Sequence, residues 1–584
     1  MRARPWRVMA AALSLVVLVS GCTGLPDSGP VVDADARSSV DDARASDINA
    51  VPPVPGMEAG EVVDGFLDAM TASPIRVDVA KQFLSASAAT EWEPDAGTIT
   101  YARSQQLREE QLLVSVQLTD AERLGRSGGY LNRLSGAEET LRFHLTLEAG
   151  EYRITDPPDA LVAPRSWFTQ RYRPASLYYF DPSGRILVPQ PVYVPRGPQL
   201  AANLVSRLVE GPDRDLSRVI RSYLPTGLDP RVSVDIGPDG VASVDLGGEA
   251  GASSGPAAER LLAQLAWTLR QQPGIRALRL TLGGTAVRGA DGDDLYAVDE
   301  ADSYDPNGAD PTEELYAVRD RKLHTRDGNE LVPVRGVFGS GASPVRTATP
   351  NLDGTRAAGV GLEGRSLLVA DLADPGQGDP EKAAFVFRGT DLLAPAWDFA
   401  DRTWVVDRAA GRAVVHVVVD GRDRVVEVAG VSGLDVRSFL VSRDGTRFVA
   451  VVRERGSDQL RVGRVEADAL GDLVRVRSTR LVELDPSQSQ GIDDIAWTSP
   501  TTLGLLVPIE SGKLYEVRTI GVDGSPSSAE SLQSQVVGPV IGLAGSPLPD
   551  LATYVVTPDS FVDLSDGDSY GFVDGSATSI DYAG

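Results

Sequence analysis

The chain has 584 residues with 56 basic and 82 acidic side chains, a net charge of −26, 42% hydrophobic residues and a single cysteine. That length is too great for one core and predicts several domains, while the ordinary apolar content allows each to bury one. The acidic balance argues against a nucleic-acid partner, whose phosphates need basic patches, and against adhesion to anionic lipid by charge; one cysteine cannot build an internal disulfide framework.

Arg2, Arg4 and Arg7 precede a twelve-residue apolar run from Val8 to Val19. A basic start and an apolar run too short to span a bilayer predict a signal peptide over residues 1–21. Leu18-Val19-Ser20-Gly21-Cys22 closes it, and this apolar–x–small–small–Cys spacing is similar to the lipobox of bacterial lipoproteins. The resemblance implies cleavage after Gly21, with diacylglyceryl and N-acyl groups added to Cys22, whose thiolate is the nucleophile. Two acyl chains give stable anchoring where one is marginal. The expected address is therefore the extracytoplasmic face of the bacterial plasma membrane. Residues 22–55 beyond the lipid are polar, acidic and proline-bearing without apolar periodicity, so they read as a disordered stalk. Such a stalk averages roughly 30–35 Å end to end.

From Gly56 the texture changes. Val62, Val63, Phe66, Leu67 and Met70 recur at helical spacing, as do Val79, Phe83 and Leu84 beyond the Ser73-Pro74 break. Strands are predicted at Thr98–Tyr101, Leu112–Leu118, Glu139–Leu147 and Tyr152–Ile154, the last two joined by a tight turn at Glu148-Ala149-Gly150-Glu151. Helices followed by antiparallel strands predict an α+β domain over 56–156. By analogy it could be a helix-on-curved-sheet fold of the cystatin or nuclear-transport-factor type. Trp92 and Phe83 are read as core.

Prolines from Pro157 to Pro174 predict a linker. A second α+β unit follows over 175–290, with strands at Leu177–Phe180 and Ile186–Val194 around the turn Asp181-Pro182-Ser183-Gly184. Leu200, Leu204, Val205 and Leu208 mark a helix ended by Gly211-Pro212. Val232–Ile236 and Val241–Leu246 alternate around Gly237-Pro238-Asp239-Gly240, a hairpin signal. Leu261, Leu262, Leu265 and Leu269 mark a second helix, and strand Ala277–Leu282 closes the unit.

The order Tyr179-Phe180, Leu187-Val188-Pro189, Leu208-Val209-Glu210-Gly211-Pro212 and Leu224-Pro225-Thr226-Gly227 resembles the GerMN domain of spore germination proteins. Val244-Asp245-Leu246, Gln264 and Leu280 to Gly284 fit the same pattern. Set behind a lipobox and the segment Pro55-Gly56-Met57 to Phe66-Leu67-Asp68-Ala69, this order resembles the LpqB family of actinobacterial lipoproteins. The resemblance implies a GerMN domain followed by a C-terminal propeller. It also implies an accessory role to the MtrA–MtrB two-component system through the ectodomain of the sensor kinase MtrB, with effects on cell-envelope and cell-cycle responses.

Eight carboxylates between Asp291 and Asp310 fall outside that pattern. Neither Asp291-Gly292-Asp293-Asp294 nor Asp305-Pro306-Asn307-Gly308 has the alternate spacing of a calcium loop, so 291–314 reads as an acidic linker. From Leu315 to Gly584 short Val-rich runs alternate with Asp-Gly turns. Asn351-Leu352-Asp353-Gly354-Thr355-Arg356 and Ser442-Arg443-Asp444-Gly445-Thr446-Arg447 are near-repeats, and Ala396-Trp397-Asp398 and Ala496-Trp497-Thr498 recur among them. A marker every 45–50 residues is the length of a four-stranded blade, which predicts a propeller of about six blades over 315–584. In it the tryptophans pack between neighbouring blades. A β-sandwich is the alternative, but it leaves the recurrence unexplained.

No catalytic constellation emerges. His144, His324 and His416 stand apart, without a second histidine at metal spacing. Gly339-Ser340-Gly341-Ala342-Ser343 has no base nearby to activate a serine, and Gly284 to Gly289 lacks the strand–turn–helix setting of a dinucleotide loop. The expectation is a non-enzymatic protein without metal or cofactor, its partners being membrane lipid through Cys22 and a sensor-kinase ectodomain. An alternative is a cell-wall glycan-binding scaffold using Trp167-Phe168, Tyr172 and Tyr178-Tyr179. A third is a glycan-active propeller enzyme using paired carboxylates such as Asp493-Asp494.

Overall fold

A computed structural model of the chain describes residues 50–584 except 73–76, 111, 213–215, 231, 249–254, 329, 373–381, 469–473, 485–490, 527–534, 566, 568 and 572–576. Cys22, Leu18 to Gly21 and most of the predicted stalk lie outside the described residues.

Helix Ala59–Ala69 turns Val62, Val63, Phe66 and Leu67 to one buried face. Glu61 caps it by accepting the Glu58 backbone N–H at 2.9 Å. Phe66 meets Trp92 and Phe143 at ring distances of 5.3 and 6.1 Å, so Phe83 and Trp92 are core as expected, both nearly inaccessible. Gly65 is required here, because a Cβ would lie 2.5 Å from the Phe83 ring. Around this helix lie two four-stranded sheets. One runs Tyr130–Arg133, Glu122–Gly125, Gly97–Tyr101, Leu161–Pro164; the other runs Arg103–Glu110, Leu113–Thr119, Thr140–Glu148, Glu151–Ile154. In Leu113–Thr119 every second residue, Val114, Val116 and Leu118, is buried. The turn at Ala149-Gly150 has φ of 53° and 87°, the left-handed geometry of a two-residue hairpin.

The predicted linker from Pro157 to Pro174 is instead structured. Leu161–Pro164 pairs in parallel with Gly97–Tyr101, and helix Arg165–Arg171 buries Trp167 and Phe168. Proline density misled because Pro164 stands at the helix entry, where no N–H is needed, and Pro174 lies in a two-stranded ribbon that is all edge.

That ribbon, Tyr172–Phe180 with Leu187–Pro195, opens the second domain. Helices Leu200–Glu210 and Pro256–Leu269 share its core with a sheet ordered Ser233–Ile236, Val241–Leu246, Ala277–Leu282, Thr285–Ala286. Val241–Leu246 and Ala277–Leu282 are parallel, with the second helix in the crossover between them. Gln264, fully buried on that helix, accepts the Tyr223 backbone N–H at 2.9 Å. The predicted acidic linker is corrected in part. Tyr296–Ala297 pairs with Ala277–Leu282, and the 3₁₀ segment Val298–Tyr304 packs on the second helix, where Trp267 Nε1 donates to the Ala301 carbonyl at 2.9 Å. Its acidic surface hid two core residues, Tyr296 and Ala301.

From Leu315 the described residues form six four-stranded sheets arranged as the blades of a propeller. Their axial strands are Ala577–Tyr582 for blade one, then Val345–Pro350, Ala396–Trp397, Asp435–Val441, Asp494–Ser499 and Gly542–Ala544 for blades two to six. Blade one joins the two ends of the domain, since Ala577–Tyr582 pairs with Leu315–Arg319. The two near-repeats are the first turns of blades two and four, built alike. Asp353 accepts the Thr355 N–H and hydroxyl at 3.0 and 2.6 Å, and Asp444 accepts those of Thr446 at 2.8 and 2.6 Å. The tryptophans bridge blades as predicted: Trp397 Nε1 donates to Thr349 O of blade two at 2.9 Å, and Trp497 Nε1 to Val441 O of blade four at 3.1 Å.

Candidate functional site: the two ends of the propeller axis

Axial strands run in one sense, so the propeller has a face where they start and a face where they end. The second domain covers the face where they end. Arg447, completely buried, donates to Pro189 O of the ribbon and reaches the Asp444 carboxylate at 3.0 Å. Arg464 donates to Gln190 Oε1 at 3.0 Å, and the Arg185 guanidinium lies 5.0 Å above the Phe399 ring. On the axis Arg443 donates to Ala583 O at 2.7 Å, and Gly584 N–H donates to Pro350 O at 3.1 Å. Burial pulls all three arginines below the usual guanidinium range: Arg443 to about 10, Arg464 to about 9 with Arg447 as a like-charged neighbour, and Arg447 downward against the pull of Asp444.

The first domain is fastened to the same assembly. Phe168 stacks on Tyr172 at 4.4 Å and leans on Tyr193 at 5.4 Å, while Tyr193 N–H donates to Gly128 O at 2.9 Å. Gly128 has φ of 83° and no room for a Cβ, which would sit 2.4 Å from the Tyr193 carbonyl. Arg480 of blade four donates to Leu131 O at 2.6 Å.

At the other end the axial strands enclose a cavity of about 230 Å³. Every blade contributes to its wall, with Thr347, Leu393, Ser438, Asp494, Leu543 and Asp581 among the lining residues. Asp494 accepts the N–H groups of Ile495 at 2.9 Å and of Leu543, on blade six, at 3.0 Å. Asp581 accepts Tyr582 N–H at 2.9 Å and is bonded by the backbone of Gly545. The two carboxylates thus grip blade six from both neighbouring blades. Burial within the ring pushes Asp494 up to about 6 and Asp581 up to about 7. Asp581 is exposed toward the cavity, yet the surrounding blades deprive its charge of bulk solvent.

The other residues singled out from sequence fall elsewhere. Trp167, Phe168 and Tyr179 are buried, and Tyr172 and Tyr178 partly so, so these aromatics form domain cores and seams and not an exposed stacking surface. His144 pairs with Asp156 at 2.6 Å on an exposed strand; His416 bonds Asp423 at 2.9 Å and stacks on Phe387 at 4.4 Å. Burial lowers the pKa of His324, which contacts the Lys322 carbonyl at 2.9 Å. Among the described residues no group of three or more candidate ligands could hold a metal, and no helix is long and apolar enough to cross a membrane. Sequence reasoning gave no weight to Asp494 beyond its pairing with Asp493, and none to Asp581. No sequence signal separates either position from the chain's many other aspartates.

Three family profiles match in chain order: "Lipoprotein LpqB, N-terminal domain" over 52–169, "Sporulation and spore germination" over 176–288, and "Lipoprotein LpqB beta-propeller domain" over 321–561. The Lipoprotein LpqB of Streptomyces coelicolor is 28% identical over 565 residues, covering 90% of each chain. That of Mycolicibacterium smegmatis is 30% identical over 504 residues, covering 77% of this chain and 80% of the relative. Among solved structures, the first GerMN domain of the sporulation protein GerM from Bacillus subtilis aligns at 22% identity and a TM-score of 0.18, covering 21% of this chain and 97% of that domain. Fold and profiles together define a multidomain protein with a GerMN-type domain ahead of a β-propeller. Within that class the chain belongs to the LpqB family of lipoproteins.

Proposed function

We propose that this chain is a non-catalytic accessory protein, tethered by Cys22 to the extracytoplasmic face of the plasma membrane, that contacts the ectodomain of a two-component sensor kinase. Resemblance names that kinase as MtrB of the MtrA–MtrB system. The observation that carries the reading is the fastening of all three domains around buried arginines and aromatics, with the far propeller face left open. A body built this way presents one fixed surface to a partner. Tethering both proteins to one membrane raises their effective concentration, so a weak contact suffices. To regulate, the contact must differ between the kinase's two signalling states, because equal affinity shifts nothing.

The test is crosslinking of the lipidated protein in its own cells with identification of captured partners, alongside a Cys22→Ala variant. The reading expects the kinase among the captured proteins and loss of regulation in the variant. Normal signalling by the unanchored variant at native abundance would sink it.

A further inference from the structure

The propeller cavity is built for a ligand that the partner reading does not supply. Its polar groups converge from four blades: Asp494 of blade five, Asp581 of blade one, Ser438 of blade four and Thr347 of blade two. Asp494 and Asp581 have backbone amides as donors but no ion-pair partner among the described residues. The charge that acts on Asp494 is another carboxylate, Asp493. Asp581 feels Asp494, and feels Arg443 more weakly from the sealed side. Arg437, exposed at the wall, is in salt-bridge contact with neither among the described residues. On the same wall the hydroxyls of Thr347 and Ser438 are buried without a hydrogen-bond partner among the described residues. Phe439, Ile495, Leu543 and Ile580 also line it, alongside further polar residues such as Thr349, Thr578 and Ser579. Arg443, Ala583 and the second domain close the opposite end, so a ligand enters from the open face.

We propose that this cavity binds a primary ammonium or guanidinium group on a short apolar stem, carried into the axis as the basic side chain of a polypeptide. The stem lies along the mixed cavity wall, while the cation sits between Asp494 and Asp581 and can donate to the Ser438 hydroxyl. At 230 Å³ the cavity falls below the roughly 300–1,000 Å³ typical of drug-sized ligands, which suits one inserted side chain. An opposite charge at these carboxylates favours their ionised form, so a cation entering at pH 6.5 displaces protons from them. The inference is independent of the partner being a kinase, because it concerns the chemistry the cavity accepts.

The test uses the full chain in detergent and three probes: n-pentylammonium, a capped Gly-Lys-Gly peptide, and the same peptide with norleucine in place of lysine. Calorimetry at pH 6.5 in two buffers of different ionisation heat should show the lysine peptide binding with proton release. The norleucine peptide should bind at least about tenfold more weakly, a difference of about 1.4 kcal/mol. Asp494→Asn and Asp581→Asn should each reduce lysine-peptide affinity and proton release. If pentylammonium binds as well as the peptide, a free amine is the ligand and the polypeptide source is wrong. Equal binding of lysine and norleucine peptides, or binding without proton release, overturns the site even if neither variant folds.

Discussion

At the sealed end of the propeller axis three arginines are drawn away from bulk water; at the open end two aspartates line a cavity. Arg447 and Arg464 reach across domains, to Pro189 and Gln190, while Arg443 holds Ala583 within the ring, so these cations act as joints. The aspartates reach only to backbone amides of their own ring. A buried charge with strong partners is destructive to remove, because the partner is left stranded; one held by amides alone keeps a raised pKa and the capacity to take a cation. The difference separates a joint from a site.

The largest effect should come from breaking the ring that both ends share. Deleting 577–584 removes the axial strand of blade one together with buried Ile580 and Tyr582. At about 1.5–3 kcal/mol per large buried side chain, plus an opened sheet edge, the loss is on the order of 5 kcal/mol. Calorimetry should show the cooperative propeller transition gone. Next, Arg447→Ala strands Asp444 and uncaps Pro189 O, which should cost about 3–5 kcal/mol. Hydrogen exchange should rise in Leu187–Pro195 as well as in blade four; protection unchanged in the ribbon would show that Arg447 does not join the domains.

The open end should respond to pH in the opposite sense to an ordinary salt-bridged carboxylate. Asp494 and Asp581 have folded pKa values raised to about 6 and about 7 from 3.8. Their contribution to stability is therefore fully present below about pH 4 and is lost as pH rises through 7. Asp581→Asn should flatten that decline, so the variant gains on the wild type between pH 5 and pH 8. The lost acceptor offsets this by about 1 kcal/mol at all pH values, which makes the slope of melting temperature against pH the informative measurement. Trp397→Phe, which deletes one bond between blades two and three, should cost about 1 kcal/mol in urea unfolding. The exposed Lys513–Glu510 pair should be the least consequential: Lys513→Ala should change stability by well under about 1 kcal/mol.

Much of the architecture was legible before any coordinates. Recurrent Asp-Gly turns and tryptophans mark blades because the same turn bonds and inter-blade contacts must be rebuilt at each one, as Asp353 and Asp444 show. Proline and acid density read wrongly at 157–174 and 291–314 because composition averages over a segment while packing depends on single residues: Trp167, Phe168, Tyr296 and Ala301 carry those stretches into cores. The cavity was not legible at all. Asp494 and Asp581 lie 87 positions apart in a chain rich in aspartate, and only ring closure sets them on either side of blade six.

That closure has a consequence for biogenesis. The strand that completes blade one ends two residues from the C-terminus, whereas its sheet partner begins at Leu315. A chain emerging N-terminus first across a membrane would have blades two to six available to fold while blade one still lacked its axial strand. The ring, and with it the cavity, would become complete only once Ala577–Tyr582 had joined Leu315–Arg319. Blade one is thus closed by pairing Ala577–Tyr582 with a strand made more than 250 residues earlier.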